Sequence, residues 1–214
     1  MNHSDNPWLG IPCQDYETHM ASPEVGQLQF LNAAFKEILT IRRPKSLLVP
    51  GCAAGNGFEH IDPAVTKRVV AVDINPDYLM ALRERFPGLA GHMEVVNQDI
   101  LMCGFKDKSF DLIFAGLIFE YIDASAALNQ FRTWLKKDGA LAVVLQLPDD
   151  QLPAVTETAC AALQRLAPIM KLLTQEAFDS AAIAQGFERI DATVRCLSSG
   201  KCMYVASYVP RTTK

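Results

Sequence analysis

The sequence predicts a doubly wound, largely parallel α/β sheet that ends in an antiparallel pair of strands. The short strand segments 46–50 and 68–73 are apolar almost throughout, which is typical of strands buried on both faces. Segments with apolar residues at helical spacing alternate with these strands and would cover the sheet. Near the carboxyl terminus, Ser198–Lys201 forms a hairpin-like turn between two strand segments, which indicates the antiparallel pair.

The elements follow in order along the chain. Ser22 and Pro23 are typical of a helix start, and the basic run at 42–45 ends that helix. Asn75 and Pro76 begin another helix, which stops near Phe86. Further helices are predicted after the glycine-rich turn up to residue 62 and at 124–137, 154–173 and 174–185. Strands are predicted at 46–50, 68–73, 92–97, 110–115, 140–147, 188–196 and 203–209.

The first 22 residues have no clear periodicity and are predicted to form an irregular N-terminal arm. No linker or internal repeat interrupts the remainder, so residues 23–214 are predicted to form one domain. With 214 residues, half of them apolar, the chain can bury a substantial core. These values disfavour intrinsic disorder.

The net charge and the length of the apolar runs indicate whether nucleic acids or membranes are expected as partners. A net charge of −4 does not provide the broad basic surface that nucleic acids require, so no nucleic-acid partner is expected. The longest apolar run, 112–119, is far shorter than a membrane span. Because the first residues are polar and lack a signal core, we expect a cytoplasmic protein without a membrane partner.

The six cysteines contain no C-x-x-C pair, and the four histidines are scattered. Structural zinc sites need tighter clustering of such ligands, so no metal site is expected. The cysteines are predicted to be reduced and mostly buried, as in a cytosolic protein.

The first strand runs into LLVPGCAAGNG at residues 47–57. Glycines at 51, 55 and 57 let the backbone turn sharply and approach a ligand closely. Small residues between them keep that surface open. By itself this pattern is weak evidence, because glycines between a strand and a helix also serve ordinary turns.

Acidic residues follow the next two strands. Asp73 ends the second strand, where its carboxylate could accept both hydroxyls of a ribose. Its alternative role is to cap the next helix, although Asn75 already suits that task. Asp99 and Ile100 follow the third strand and suit an adenine, with the acid accepting from the amine and Ile100 packing on the ring. Considered alone, Asp99 could be an exposed loop acid.

The glycine loop, Asp73 and Asp99 are followed by the fourth strand, and in this order they resemble the class I S-adenosylmethionine-dependent methyltransferases, in particular the small-molecule "type 11/12" group. The matching stretches are LLVPGCAAGNG, VVAVDINPDYL, VVNQDIL, FDLIFAGLIFEYI and WLKKDGALAVVLQ, in the family's order over about residues 46–147. The resemblance implies a seven-stranded sheet with an antiparallel last strand and S-adenosylmethionine as cofactor. The residues that it implies for cofactor binding are Pro50, Gly51, Cys52, Ala53, Gly55, Asp73, Ile74, Asp99, Ile100, Gly116 and Leu117.

Two departures from the family pattern leave an alternative open. Val49 stands where the family usually has an acid that orients the cofactor's ammonium, and Ala53 stands where it usually has glycine. These favour a non-catalytic, methyltransferase-like binding module, whereas Asp73 and Asp99 favour an enzyme. The glycine spacing also occurs in NAD(P)-binding short-chain dehydrogenases, but no tyrosine here is followed four residues later by the lysine that they need.

The acceptor is expected to be a small, partly apolar molecule, methylated on oxygen, nitrogen or carbon by in-line displacement. The loop after the fourth strand lacks the Asn-Pro-Pro-Tyr of family members that methylate planar amino groups. Tyr16 and Met20 are predicted to close over the cofactor, and His19 to face the acceptor. The alternatives without a functional role are that Tyr16 is a surface aromatic residue and that His19 is a solvated imidazole. The candidate catalytic residues are Tyr16, His19, Glu120 and Tyr121; the other candidates for substrate contact are Trp8, Phe119 and Gln146.

Overall fold

In the computed structural model, which describes residues 6–211, the chain folds around one seven-stranded sheet. The strands lie side by side in the order β3-β2-β1-β4-β5-β7-β6. The predicted fold class is therefore confirmed. The strands are β1 (Ser46–Pro50), β2 (Arg68–Asp73), β3 (Met93–Asn97), β4 (Phe110–Gly116), β5 (Leu135–Gln146), β6 (Phe187–Cys196) and β7 (Cys202–Pro210).

The pairing of the strands defines where a ligand crevice can form. β1 pairs in parallel with β2 on one side and with β4 on the other. Strand order reverses between β1 and β4, and ligands of open α/β sheets bind outside the carboxyl ends of the strands at such a reversal. β7 runs antiparallel to both β5 and β6, as the hairpin-like turn predicted.

Residues 6–211 contain five α-helices, and side-chain caps begin three of them. Asn75, Asp123 and Thr174 each accept a hydrogen bond from a backbone N–H of the first turn, which satisfies a donor that the helix cannot. The helices are α1 (Cys13–Ala21), α2 (Gln27–Arg42), α3 (Pro76–Arg85), α4 (Ala124–Trp134) and α5 (Gln175–Ala184).

The core lies on both faces of the sheet. Along β1, Leu47 and Val49 pack on the face that carries α2, whereas Leu48 packs on the face that carries α4 and α5. This division explains why β1 is apolar at successive positions rather than at alternate ones.

The predicted helix over 154–173 is wrong. This segment is irregular apart from a 3-10 helix at Ala161–Leu166. Pro168 lies inside the predicted range, where its ring removes a helical hydrogen bond and clashes with the preceding turn. Val155, Leu163 and Leu166 instead form a small cluster with Ile11 of the arm.

Other predicted boundaries also shift. The first five residues of the predicted arm lie outside the described residues, and from residue 6 the arm is helical rather than irregular: a 3-10 helix spans Pro7–Gly10 and is followed by α1. α2 begins at Gln27 rather than at Ser22, because Gly26 adopts a left-handed φ of 65° before it. Similarly, α4 ends at Trp134 and β5 begins at the next residue, and the turn after β1 leads into a 3-10 helix at Phe58–His60.

Cys196 and Cys202 form a disulfide, so the expectation that all cysteines are reduced is wrong. The two residues face each other across the closed end of the β6–β7 hairpin. Cys52 and Cys103 are free and buried, as expected. No helix between residues 6 and 211 has the length and apolar character needed to cross a membrane.

Candidate functional site

Two adjoining cavities open at the carboxyl ends of the parallel strands, across the reversal between β1 and β4. They share Tyr16, Gly51, Ala53 and Gly116 in their walls. Most residues predicted to bind a cofactor line the first cavity: Gly51, Ala53, Asp73, Ile74, Asp99, Ile100, Gly116 and Leu117. Pro50 and Cys52 line the second.

Gly55, also predicted to bind the cofactor, lines neither cavity. Its φ is +83°, and a Cβ added there would lie 2.3 Å from Leu82 Cδ1 on α3. The position therefore needs glycine so that the loop can pack against α3. This glycine has a packing role that the sequence pattern does not distinguish from ligand contact.

The loop between Pro50 and Gly57 keeps a conformation that usually requires glycine. Ala53 has a φ of 46°, in the left-handed region, where a Cβ costs roughly 1–2 kcal/mol. Its backbone N–H donates to Asp73 Oδ2 at 2.9 Å, and this bond ties the loop to the end of β2. The Gly-to-Ala departure from the family pattern therefore leaves the loop shape intact.

Asp73 is held by backbone donors from two sides. Oδ1 accepts from Asn75 N–H at 2.9 Å, while Oδ2 accepts from Ala53. Burial raises the pKa of Asp73 to about 6, against the backbone hydrogen bonds, which lower it. The group is a carboxylate at neutral pH, and each oxygen keeps a lone pair for a ligand hydroxyl. The helix cap at this point is Asn75, which accepts from Asp77 N–H at 3.0 Å.

Asp99 and Ile100 form the floor of the cavity next to β3. Asp99 Oδ1 accepts from Leu101 N–H at 2.9 Å and so caps a 3-10 turn, Ile100–Met102. No described residue donates to Oδ2, which stays available to a ligand amine. Ile100 is 4% exposed and presents an apolar surface beside it.

The N-terminal arm covers the first cavity with aromatic rings. The ring of Trp8 lies 5.8 Å from that of Tyr16 and 5.1 Å from that of Tyr121, both in edge-to-face contact. Tyr16 also packs on Tyr78 of α3. All four rings line the cavity, so the arm and the loop after β4 provide one aromatic wall.

Hydrogen bonds fix the arm in this position. Asn75 Nδ2 donates to the carbonyl of Trp8 at 2.9 Å. Glu17 on α1 and Arg85 on α3 form a two-contact ion pair. The arm is thus attached to the same helix that follows Asp73.

Tyr16 and Tyr121 thus reach the first cavity, but His19 and Glu120 do not line it. His19 is buried, and its Nδ1 lies 2.9 Å from Thr158 Oγ1; burial and nearby Lys201 lower its pKa. This position corrects the expectation that His19 faces an acceptor: it joins α1 to the irregular segment 148–173.

Glu120 is 1% exposed and does not line the first cavity. Its Oε1 accepts from Gln146 N–H at 2.8 Å, whereas Oε2 is buried without a partner among residues 6–211. Burial raises the pKa of Glu120 to about 7. The structure therefore places this carboxyl behind the wall, next to the end of β5.

Eight residues in the wall of the first cavity are not among those predicted from the sequence. Gln27, at the first position of α2, lines the cavity although it is 6% exposed. No sequence signal distinguishes it from a surface glutamine, because only a contact with distant Gln146 orients it. Tyr78 follows the helix cap Asn75 by three residues, and this helical spacing could have predicted that it lies at the same edge of the sheet. The other missed residues are Asn6, Val72, Gln98, Ile118, Ile122 and Met170.

Charge in the first cavity comes from carboxylates. Among the described residues, its lining holds Asp73 and Asp99 but no lysine, arginine or histidine. Within residues 6–211, no group of three or more potential metal ligands comes together. The described lining therefore has a carboxylate end, with Asp73 and Asp99, and an aromatic end, with Trp8 and Tyr121.

Comparison with known proteins supports this geometry. Residues 48–143, from β1 into β5, match the family described as "Methyltransferase domain". Over these residues, a little under half of the chain, the sequence is similar to methyltransferase domains. The match spans the glycine loop, both strand-end acids and Gly116, so it covers most of the lining at the carboxylate end of the cavity.

A sequence relative supports the same assignment. An uncharacterized methyltransferase of Schizosaccharomyces pombe is 25% identical over 141 residues, which cover 66% of this chain and 53% of that protein. The chain spans about half the length of the curated relatives it matches.

Solved structures share the fold. The geranyl diphosphate C-methyltransferase of Streptomyces coelicolor, in complex with Mg²⁺, geranyl diphosphate and S-adenosyl-L-homocysteine, superposes with a TM-score of 0.64 at 14% identity, covering 84% of this chain and 77% of that one. The [4+2]-cyclase SpnF superposes with a TM-score of 0.67 at 13% identity, covering 86% and 81%. At these identities only the fold is comparable, and one fold can support different chemistries.

Proposed function

We propose that the domain transfers a methyl group from S-adenosylmethionine to a small-molecule acceptor by in-line displacement. The observation that carries the proposal is the single cavity that gathers Asp73, Asp99 and the backbone at Gly51 and Gly116 across the strand reversal. A nucleoside with an amino-acid tail matches this order of groups.

The adenosine part fits the carboxylate end. The free lone pairs of Asp73 can accept both ribose hydroxyls, and unpaired Asp99 Oδ2 can accept from the adenine amine. Ile100 supplies an apolar contact for the ring. Hydrogen bonds to an ionised carboxylate are among the stronger ones, so Asp73 should dominate affinity.

The methionine part fits the backbone at the strand reversal. A Cβ at Gly51 would lie 2.9 Å from Ile118, and one at Gly116 would lie 3.1 Å from Leu31, so these glycines keep the space narrow but open. Val49, in the wall of the second cavity, offers no charge to the cofactor's ammonium. Backbone carbonyls must then orient that group.

The bound cofactor would supply an activated methyl group, and the protein's task is to hold the acceptor in line with it. Positioning of this kind is worth up to roughly 7–11 kcal/mol in favourable cases. The wall of Trp8, Tyr16 and Tyr121 would exclude water from the methyl group. Burial raises the pKa of Tyr16 and of Tyr121, so both are neutral phenols at pH 7 and do not act as bases.

Calorimetric titration with S-adenosylmethionine tests the proposal. We expect binding by the wild type and a loss of about a hundredfold in affinity for Asp73→Asn, because charge-assisted hydrogen bonds contribute about 1.5–3 kcal/mol each. Asp77→Asn is the matched control: it changes an exposed acid four residues away that lines neither cavity. Failure of the wild type to bind, or equal affinity in Asp73→Asn, contradicts the proposal.

A further inference from the structure

Gln27 is a buried polar residue in the apolar part of the cavity. Its side chain donates through Nε2 to Gln146 Oε1 at 2.7 Å. The two residues are far apart in sequence, on α2 and at the end of β5, so this contact exists only in the folded chain.

The orientation of both amides follows from a backbone group. Gln146 Nε2 donates to the carbonyl of Ala154 at 3.0 Å, and a carbonyl can only accept. Gln146 Oε1 must therefore face Gln27, and Gln27 must donate to it through Nε2. Its own Oε1 is then the atom left for the cavity, and no donor among residues 6–211 satisfies it.

The surrounding contacts hold this arrangement rigid. Gln146 N–H donates to Glu120 Oε1, which fixes the backbone behind the amide. Lys201 Nζ donates to the same Ala154 carbonyl at 2.9 Å. The cavity therefore meets a preoriented carbonyl oxygen, which accepts hydrogen bonds but cannot take a proton at neutral pH.

The sheet order indicates which ligand meets this oxygen. Gln146 ends β5, beyond β4, whereas Asp73 and Asp99 follow β2 and β3 on the opposite side of the reversal. Trp8, Tyr121 and Met170 line the same cavity. The oxygen thus belongs to the acceptor end rather than to the nucleoside end.

We propose that Gln27 Oε1 accepts the N–H of a neutral amine and that the domain is an amine N-methyltransferase; this rests on the proposed function. An amine can attack while it keeps its hydrogen bond to Gln27: its lone pair forms the N–C bond as the S–C bond breaks, and S-adenosylhomocysteine leaves. The ammonium product then loses its proton to water. A hydroxyl acceptor would first have to give its proton to a base, which a glutamine is not.

The test uses primary and secondary arylalkyl amines, such as benzylamine and N-methylbenzylamine, each paired with its alcohol, thiol and carboxylate counterpart. Formation of S-adenosylhomocysteine is measured at pH 8.5 for the full chain, together with calorimetric binding of S-adenosylmethionine. Gln27→Leu should lower kcat/KM for amines roughly tenfold and leave cofactor affinity unchanged. Gln29→Leu, an exposed position on the same helix, is the control.

Gln146→Leu should lower amine turnover in wild type but have little further effect in a Gln27→Leu background, because it acts through Gln27. A purely structural role would give additive losses instead. Preference for any non-amine counterpart, absence of amine turnover, or unchanged amine turnover in Gln27→Leu overturns the inference. Weaker cofactor binding in Gln27→Leu also overturns the inference. If the wild type itself binds no S-adenosylmethionine, the proposed methyltransferase function is contradicted.

Discussion

The two ends of the cavity are built in different ways. The carboxylate end takes its residues from the ends of neighbouring strands within residues 48–143, each close to a short motif. The aromatic end draws on the arm, the start of α2, the loop after β4 and segment 148–173. Its polar contacts join distant positions, such as Gln27 with Gln146 and His19 with Thr158. The first end is therefore built from strand ends close to short sequence motifs, whereas the second depends on contacts between residues far apart in sequence.

The largest expected effect is on stability, and it shows whether Gly55 serves to pack the loop against α3 rather than to contact a ligand. Gly55→Ala should lower the free energy of unfolding by about 4 kcal/mol, because its φ is +83° and its Cβ would meet Leu82. Chemical denaturation measures the change. Gly88→Ala, where nothing lies within 4 Å of the added Cβ, should be nearly neutral. Equal stability of the two variants would contradict the packing role.

A somewhat smaller effect tests the burial of Glu120 behind the aromatic end. Its pKa is raised from 4.5 to about 7, so ionisation opposes folding. Well below pH 4.5 the carboxyl is protonated in both states. As pH rises from 4.5 to about 7, the carboxyl ionises in the unfolded state first, so the wild type loses stability and Glu120→Gln does not. Relative to wild type, Glu120→Gln should gain about 3 kcal/mol between pH 4.5 and 8. A stability difference that stays constant over this range, measured by urea unfolding, would mean that the buried carboxyl is not destabilised by its charge.

The smallest effect concerns the attachment of the arm. Arg85→Ala removes the ion pair with Glu17, which is partly exposed, so global stability should fall by less than about 1 kcal/mol. Hydrogen exchange should nevertheless accelerate in α1 and not in the central strands, because the pair joins α1 to α3. Arg83→Ala on the same helix is the control. Uniform acceleration across the domain would show that the arm and the sheet do not open separately.

The sheet and the carboxylate end were largely predictable. Apolar runs such as Arg68–Asp73 mark strands buried on both faces, and the residue after each strand end must lie at the ligand edge. Capping residues such as Asn75 and Thr174 also lie where the sequence placed helix starts.

The aromatic end was less predictable, for physical reasons. The apolar residues of 154–173 suggested a helix, but they pack on the arm as an irregular segment bounded by prolines. His19 and Glu120 carry functional side chains near the site in sequence, yet contacts with Thr158 and Gln146 draw them behind the wall. Gln27 became visible only through a tertiary contact. Similarly, the disulfide depends on the register that sets Cys196 opposite Cys202.

A crystal structure of the domain with S-adenosylhomocysteine tests the central claim most directly. We expect the ribose hydroxyls on both oxygens of Asp73, the adenine amine on Asp99, and the amino-acid tail beside Gly51 and Gly116. Gln27 and Tyr121 should then face the space left for the acceptor. A nucleoside bound away from Asp73, or a tail directed onto Gln27, would contradict the division of the cavity into a cofactor end and an acceptor end.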